Sequence, residues 1–282
     1  MITLADLLAA TGGQLHGAQT TETWPDFCHD SRLAAADQLF VALRTPTGDG
    51  HDHIHDAVAR GCTGILCQHP VAQHPAVTTL LVPDAGDALR AWAAHILRLY
   101  TPLVIAITGS SGKTTAKELT ADLLEQAFPG QVFRTRDSYN DRLGIPLALG
   151  RLRAAHRFAV IEVGADAYGE ISQLGALLQP QIAAITTIND AHLGVFGSVE
   201  GIAAEKRALW AALRPGGVAI CNADDPHQAG PWPVHVQTLS HSQAGDGAVQ
   251  MQALNAAGDR LEVRCDPSLA PGAAARFTLT TH

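Results

Sequence analysis

The chain lacks any long run of apolar residues: no segment approaches the roughly 18 residues that a membrane-spanning helix needs. Charged residues are also few, at 16% against 46% hydrophobic residues, a balance that excludes an intrinsically disordered chain. Among the charges, 19 Lys and Arg face 27 Asp and Glu, so the net charge is −8. We therefore expect no nucleic-acid partner and no membrane insertion, and an anionic ligand would need a local site.

The 282 residues contain no C-x-x-C motif, and the five cysteines are scattered. An odd number of separated cysteines favours reduced thiols over disulfides or structural zinc. The first residues, MITLADLL, include the acid Asp6 and lack the basic segment and apolar stretch of a secretory signal peptide. These features predict a cytoplasmic protein.

Lysine is nearly absent, with Lys113, Lys117 and Lys206 the only three beside 16 arginines. Arginine stays protonated because its pKa lies above about 12, so it cannot supply a neutral amine. A lysine retained in such a chain can mark a position that needs an amine. Chance retention is the alternative, and we favour it for Lys117.

The apolar pattern changes near Thr101 and Pro102, which interrupt the periodicity. Residues 1–100 alternate short strands and helices, as in a small α/β domain. Residues 101–282 repeat a nearly continuous apolar strand followed by a helix, a pattern typical of a parallel sheet covered on both faces. The predicted fold class is α/β, with a small N-terminal domain (1–100) and a central domain with a mostly parallel sheet (101–282).

The segment TGSSGKTT (108–115) lies directly between the predicted strand LVIAIT and a helix. Gly109 and Gly112 would let backbone N–H groups face a polyphosphate, Lys113 would reach its terminal phosphates, and the Thr114 hydroxyl would ligate Mg²⁺. The spacing departs from the common G-x-x-x-x-G-K-[ST], because Ile107 stands where the first glycine would be. A glycine turn that caps a helix is the alternative, but it would not need Lys and Thr.

Polar residues follow the next two predicted strands. Glu162 comes after four apolar residues, and Asn189, Asp190 and His192 follow the strand after it. We call the segment 108–115 the phosphate-binding turn after this prediction. Because the carboxyl ends of parallel strands meet at one edge of a sheet, we expect these side chains near that turn. Side chains of these types could ligate Mg²⁺. The alternative interpretation is that each is an ordinary loop residue exposed to solvent.

Together with GSSGKTT, the segments SYNDRLGIP (138–146), EVGADAYGEI (162–171), INDAHLGVFGSVEGIAAEK (188–206) and NADD (222–225) occur in the order seen in the Mur ligases, which the chain resembles. In residues 1–100, DSR (30–32), DQLFVALR (37–44) and DGHDHI (49–54) resemble the uridine-nucleotide-binding domain of that family. Within the family, SSGKTT and the GEI after EVG are most similar to the member that joins D-alanyl-D-alanine to UDP-MurNAc-tripeptide.

The resemblance implies an ATP-dependent ligase of peptidoglycan precursor synthesis that forms an acyl phosphate and uses two Mg²⁺ ions. Its substrates would be UDP-MurNAc-peptide and D-Ala-D-Ala. It assigns catalytic roles to Lys113, Glu162, His192 and Lys206, and substrate binding to Asp30, Ser31 and Arg32. The metal ligands would be Thr114, Glu162, His192 and Lys206, the last as a carbamate. The implied ATP-binding residues are Gly109, Ser110, Ser111, Gly112, Lys113, Thr114, Thr115, Asn140, Asn222 and Asp225.

Family members continue with the rest of the central domain and a third, Rossmann-like domain. Because this chain stops at His282, we expect a form that lacks the C-terminal domain. We also expect a monomer. One alternative is a non-catalytic nucleotide-binding module or fragment. Others are a Mur ligase that adds a different amino acid and a folylpolyglutamate-synthase-like ligase, against which the DSR segment argues.

Overall fold

A computed structural model describes residues 1–17, 19–46, 48–70, 74, 77–136, 139–191, 193–230, 233, 235–242, 248–253, 260–265 and 276–280, with side chains described as far as residue 249. The chain forms two compact units. The first unit comprises Met1–Leu103 and Ala121–Ala159, and the second comprises Val104–Thr120 and Val160–His282. None of the helices in these described ranges combines the length and the apolar character needed to cross a bilayer.

The described part of the first unit contains short strands, α-helices and 3₁₀ turns. The elements of its first segment are β1 Ile2–Thr3, α1 Leu4–Thr11, β2 Gln14–His16, β3 Thr23–Trp24, β4 Phe27–Cys28, a 3₁₀ turn Ser31–Leu33, β5 Leu39–Val41, β6 Arg44–Thr45, β7 Gly48–Asp49, a 3₁₀ turn Gly50–His53, α2 Ile54–Ala59, β8 Gly64–Cys67, β9 Thr78–Leu81 and α3 Ala85–Tyr100. Its second segment, which follows β10 (Leu103–Thr108) and the start of α4 (Lys113–Ala127) in the chain, contains β11 Val132–Arg134, α5 Gly144–Ala148 and a 3₁₀ turn Leu149–Arg151.

A five-stranded sheet in the order β2-β9-β8-β5-β4 forms the centre of the first unit. Only β2 is antiparallel, pairing Leu15 with Leu80 of β9. Asp84 caps the N-terminus of α3, because its carboxylate accepts a hydrogen bond from the N–H of Asp87. Trp92 of α3 packs edge to face on Phe27 at 4.8 Å between ring centroids.

The second unit contains strands and helices in alternation, followed by strands alone. Its elements are β10 Leu103–Thr108, α4 Lys113–Ala127 (which runs on into the first unit), β12 Phe158–Glu162, α6 Glu170–Leu178, β13 Ile182–Ile185, α7 Leu193–Phe196, α8 Val199–Ala211, β14 Val218–Asn222, a 3₁₀ turn Pro226–Gln228, β15 Gln237–Ser242, β16 Val249–Ala253, β17 Arg260–Cys265 and β18 Arg276–Thr280.

Its sheet has the order β12-β10-β13-β14-β15-β16-β17-β18. The pairs β10–β13, β13–β14, β14–β15 and β15–β16 are parallel, and the last two pairs are antiparallel. Trp210 of α8 packs against the sheet, and its indole N–H donates to the carbonyl of Ala183 at 3.2 Å. The phosphate-binding turn, the loop after β13 and the loop after β14 therefore emerge at one edge, the carboxyl edge of the parallel strands.

The α/β class and the mostly parallel sheet predicted from the sequence are confirmed. The apolar run IAAITTI predicts a strand over 182–188, but the observed strand β13 is shorter and ends at Ile185. Its pairing with β10 runs as far as Ile185 opposite Thr108, where β10 also ends, and the hydroxyl groups of Thr186 and Thr187 then donate to the Ser111 carbonyl. The alternation of apolar and polar residues from Ala248 to Leu279 around Gly258 predicts a hairpin, and β16 pairs with β17 in antiparallel orientation. Gly258 itself lies outside the described residues.

Candidate functional site

A glycine-rich turn joins β10 to α4 in the segment predicted to bind phosphate. Gly109 has φ of 147° and Gly112 has φ of 79°, conformations that residues with a side chain rarely adopt. A Cβ at position 109 would collide with Oγ1 of Thr186 in the loop after β13. Glycine at 109 therefore allows these two loops to approach each other closely.

Hydrogen bonds from the loop after β13 hold the turn in place. The Thr186 hydroxyl donates to the Ser111 carbonyl at 2.6 Å, and the Ser110 N–H donates to the Thr187 carbonyl at 2.8 Å. Thr187 Oγ1 also lies 2.9 Å from Ser111 Oγ, and the Asn189 N–H donates to Ser110 Oγ at 3.1 Å. The phosphate-binding turn and this loop thus form one hydrogen-bonded unit.

Two side chains with predicted roles begin α4. Lys113 Nζ donates to the Gly109 carbonyl at 2.9 Å. The Thr114 hydroxyl donates to Oε2 of Glu162 at 2.8 Å. Glu162 ends β12 and is buried, with 3% of its surface exposed. The carboxyl edge therefore carries a cation next to a bonded hydroxyl–carboxylate pair.

The Thr114–Glu162 pair fits a magnesium ion by its chemistry, because Mg²⁺ prefers hard oxygen ligands. Within the described part of the chain, no group of three or more His, Cys, Asp and Glu is placed to hold a metal ion. One carboxylate beside a hydroxyl is the donor set expected where phosphates and waters complete the coordination. His192, a further predicted ligand, lies outside the described residues.

Lys206 lies in α8 with only 2% of its surface exposed. Burial, and then the positive charge of Lys113, lower the pKa of its amine to about 8. Its Nζ lies 5.9 Å from the centroid of the Phe196 ring. A lowered pKa keeps a larger share of the amine neutral near physiological pH, and the neutral amine is the form that can react with carbon dioxide.

The residue before Lys206 fixes the start of α6. The buried carboxylate of Glu205 accepts hydrogen bonds from the N–H groups of Gly169 and Ile171, both at 2.8 Å. Tyr168, in the turn before α6, packs edge to face on Phe196 with 5.0 Å between ring centroids. These contacts tie α6, α7 and α8 together around Lys206.

Asn222 ends β14 and Asp225 lies in the loop after it, and both are predicted to bind ATP. The Asp225 carboxylate accepts from the His227 N–H at 3.0 Å and from the Ile188 N–H at 3.3 Å. Asn222 Oδ1 accepts from the Asp224 N–H at 3.0 Å. Both side chains thus shape this loop and connect it to the loop after β13.

Gln228 joins these loops and was not identified from the sequence. It is 1% exposed. Its Oε1 accepts from the Asn222 N–H at 2.9 Å, and its Nε2 donates to Asp225 Oδ2 at 3.0 Å and to the Thr186 carbonyl at 3.4 Å. No local signal marks it, because a glutamine after Pro-His has the composition of an ordinary surface turn.

In the first unit, Asp30 caps the 3₁₀ turn that holds Ser31 and Arg32. Its Oδ1 accepts from the Arg32 N–H at 3.0 Å, and Oδ2 lies 2.6 Å from Arg32 Nη2. These bonds from Arg32 lower the pKa of Asp30 to about 2. Ser31 is buried, whereas the Arg32 side chain is 84% exposed.

A cavity of about 180 Å³ opens within the first unit. The strand β4 and the turn after it supply one wall, including His29 and Asp30. Residues 133–151 supply the other wall, including Arg134, Arg136 and Tyr139. Tyr139 lies edge to face on His29, with 5.9 Å between ring centroids. The cavity therefore combines arginines with aromatic rings.

The second unit brings together Gly109, Ser110, Ser111, Gly112, Lys113, Thr114, Glu162, Lys206, Asn222 and Asp225 along one edge or in the helix behind it. Thr115 lies in the first turn of α4, exposed to solvent. Asn140 lies in the first unit, where it is half-buried before α5.

The fold and this edge define a class: α/β proteins with a glycine-rich turn between the carboxyl end of a parallel strand and a helix, the arrangement that binds phosphate groups in many proteins. The model of the Mur ligase middle domain matches residues 107–265, more than half of the chain. The chain therefore belongs to the Mur ligase family.

Two curated relatives named as UDP-N-acetylmuramoyl-tripeptide–D-alanyl-D-alanine ligases match more than two thirds of the chain. The UDP-N-acetylmuramoyl-tripeptide–D-alanyl-D-alanine ligase of Haemophilus influenzae is 38% identical over 200 residues, which are 70% of this chain and 44% of the relative. The Escherichia coli ligase of the same name is 36% identical over 224 residues, 79% of this chain and 48% of the relative. The chain thus spans about half the length of these curated relatives.

Solved structures agree with this similarity. MurF from Acinetobacter baumannii superposes with a TM-score of 0.83 at 30% identity, covering 99% of this chain and 60% of that one. MurF from Thermotoga maritima, in complex with ADP, gives a TM-score of 0.74 at 26% identity, covering 90% and 57%.

Proposed function

We propose that the chain is the substrate- and ATP-binding part of a ligase that adds D-Ala-D-Ala to UDP-MurNAc-tripeptide during peptidoglycan precursor synthesis. The observation that carries this proposal is the phosphate-binding turn with Lys113, Thr114 and Glu162 at its end, in a chain 38% identical to a ligase of that name. The proposal is supported by the similarity to MurF bound to ADP.

ATP would bind along the carboxyl edge of the second unit. Gly109, Ser110, Ser111, Gly112, Thr115 and Asn140 would surround its phosphates, and Asn222 and Asp225 would lie toward the adenine. The Lys113 ammonium would exchange its carbonyl partners for phosphate oxygens, to which it binds more strongly because they are charged. Thr114 and Glu162 would hold one Mg²⁺, and His192 with Lys206, as a carbamate, would hold a second. When bound, the ions offset negative charge on the phosphates.

The reaction requires activation because a carboxylate is a poor electrophile. An oxygen of the tripeptide's terminal carboxylate would attack the γ-phosphorus, forming an O–P bond as the bond to the β-phosphate oxygen breaks and ADP leaves. The amine of D-Ala-D-Ala would then attack the acyl carbon, lose a proton and expel phosphate. Lys113 would stabilise the charge that develops during the first transfer.

The cavity of the first unit would receive the uridine diphosphate end of the substrate. Arginines bind diphosphate with paired, charge-assisted hydrogen bonds, and aromatic rings stack on a base, so the cavity supplies both types of contact. Asp30, Ser31 and Arg32 would form its rim. We further propose that the protein acts in the cytoplasm as a monomer.

Calorimetric titration with UDP-MurNAc-tripeptide tests the substrate. We expect binding, and we expect Arg136→Ala to weaken it about tenfold because one charge-assisted contact is lost. Arg98→Ala, which removes an exposed cation of α3, is the matched control and should bind like the wild type. Absence of binding by the wild-type chain would contradict the proposed substrate.

A second candidate function is nucleotide binding without turnover, because the contacts of Lys113, Thr114 and Glu162 support the binding of a nucleotide and not by themselves its reaction. Trapping with hydroxylamine distinguishes the two, since hydroxylamine converts an acyl phosphate to a hydroxamate. Hydroxamate formed from ATP and UDP-MurNAc-tripeptide would establish the ligase half-reaction. Binding of both ligands without hydroxamate would establish binding without turnover.

A further inference from the structure

We propose that Gln228 is a positioning residue that couples the nucleoside end of a bound nucleotide to the phosphate-binding turn. The inference rests on the proposed function in taking MgATP as the ligand. Gln228 itself would not touch the nucleotide, because its side chain is 1% exposed and hydrogen-bonded on both ends.

The contacts of Gln228 form a continuous path across the carboxyl edge. Its carbonyl oxygen holds the backbone of Asn222, and its amide holds the Asp225 carboxylate and the Thr186 carbonyl. The Thr186 hydroxyl in turn donates to the Ser111 carbonyl in the phosphate-binding turn. The buried carboxamide therefore joins the loops after β13 and β14 directly, and the phosphate-binding turn through Thr186.

The strand order places the ends of this path at a spacing suited to one ligand. β10 precedes the phosphate-binding turn, β13 is its neighbour, and β14 is the next strand. Neighbouring strands lie 4.7–4.9 Å apart, so the turn and the loop after β14 are separated by roughly 10 Å. A nucleotide with its phosphates in the turn and its chain extended across the edge would bring its nucleoside to Asn222.

A buried carboxamide is costly unless its donors and acceptor are bonded, so it fixes the loops it joins in one arrangement. Replacing Gln228 should therefore shift the loop after β14 and weaken contacts to the nucleoside. The phosphate-binding turn keeps its own bonds to Thr187 and Asn189. Contacts to phosphate should be less affected than contacts to the nucleoside.

Titration with two probes, MgATP and magnesium tripolyphosphate, separates these effects. Gln228→Glu would place a second carboxylate against Asp225, and Gln228→Met keeps the side-chain length without hydrogen bonds. We expect both variants to weaken MgATP binding about tenfold, with less than about a threefold change for tripolyphosphate. Gln237→Glu, an exposed position at the start of β15, is the matched control and should change neither.

A merely structural role would lower the affinity for both probes in parallel, and that result would overturn the coupling. So would MgATP binding that is unchanged in both Gln228 variants. If the wild-type chain bound neither probe, the proposed function would fail, and the coupling with it.

If the Gln228 variants do not fold, hydrogen–deuterium exchange in the wild-type chain supplies the test. We expect MgATP to slow exchange over residues 109–114 and 222–228, and tripolyphosphate to slow exchange over 109–114 and, to a smaller extent, over 222–228, which it would not touch. No effect of tripolyphosphate on residues 222–228, or protection of 109–114 alone by MgATP, would overturn the coupling.

Discussion

At the residue scale, Lys206 is held where its surroundings oppose its charge. It is buried in α8, and both burial and Lys113 favour its neutral form. An arginine at this position would remain charged, because its pKa is too high to be shifted into the physiological range. One of the three lysines of the sequence therefore lies where an amine can become neutral and a guanidinium could not.

Lys206 should make stability depend on pH. Its pKa is about 8 in the folded chain, below the ordinary 10.5, so the unfolded chain binds more protons between these values. Stability should rise as the pH increases from 8 to 10.5. Lys206→Met should remove this rise and stabilise the chain at pH 7 by up to about 3 kcal/mol.

Urea denaturation at several pH values, with chelator present and carbon dioxide removed, measures this effect. The difference between wild type and Lys206→Met cancels contributions from other groups. Arg98→Met serves as an exposed control and should follow the wild-type curve. Parallel curves for wild type and Lys206→Met would contradict the lowered pKa.

Thr114 supports a second prediction at this scale. Thr114→Val keeps the shape of the side chain and removes the hydroxyl that bonds Glu162. We expect nucleotide affinity to lose most of its dependence on Mg²⁺, because one of the oxygen ligands is gone. Titrations with and without Mg²⁺ measure this, with the exposed Thr238→Val as control. An undiminished dependence on Mg²⁺ in Thr114→Val would remove this residue from the proposed metal site.

At the scale of elements, the phosphate-binding turn depends on the loop after β13. The close approach at Gly109 and the hydrogen bonds from Thr186 and Thr187 fix the turn before any ligand contact is made. Preorganisation of this kind lowers the cost of ordering a loop on binding.

Gly109→Ala tests this dependence. The new methyl group would collide with Thr186 and would have to adopt a φ of 147°. We expect a loss of about 1–3 kcal/mol in stability together with weaker MgATP binding. Gly48→Ala, which has open space around its Cβ position and no positive φ, should be near neutral in both. Thermal melting and titration of both variants provide the comparison, and equal behaviour would show that the approach of the two loops is unimportant.

At the scale of the whole molecule, the sequence predicted the elements that have regular patterns. β10 was predicted over the same residues, Leu103–Thr108, because an unbroken apolar strand ended by a glycine turn leaves little ambiguity. The Thr114–Glu162 contact followed from both residues standing at the carboxyl edge. The roles of Thr186, Thr187 and Gln228 could not be predicted, because they arise from loops that meet only in the folded sheet.

The two compact units divide the chain at other residues than the predicted domains, 1–100 and 101–282, which stay a prediction. The first boundary, after Leu103, lies close to the predicted change near Thr101, but Ala121–Ala159 groups with the first unit. These residues supply one wall of the first unit's cavity. Sequence periodicity does not reveal such a grouping, because it reports local structure rather than packing between distant segments.

The central claim is that the second unit binds MgATP through its phosphate-binding turn, and calorimetric titration of the intact chain tests it most directly. We predict that the wild-type chain binds MgATP, that Lys113→Ala weakens binding about 10- to 100-fold by removing a charge-assisted contact, and that Arg98→Ala binds like the wild type. Equal affinities for the wild type and Lys113→Ala, or no binding by the wild type, would contradict the claim.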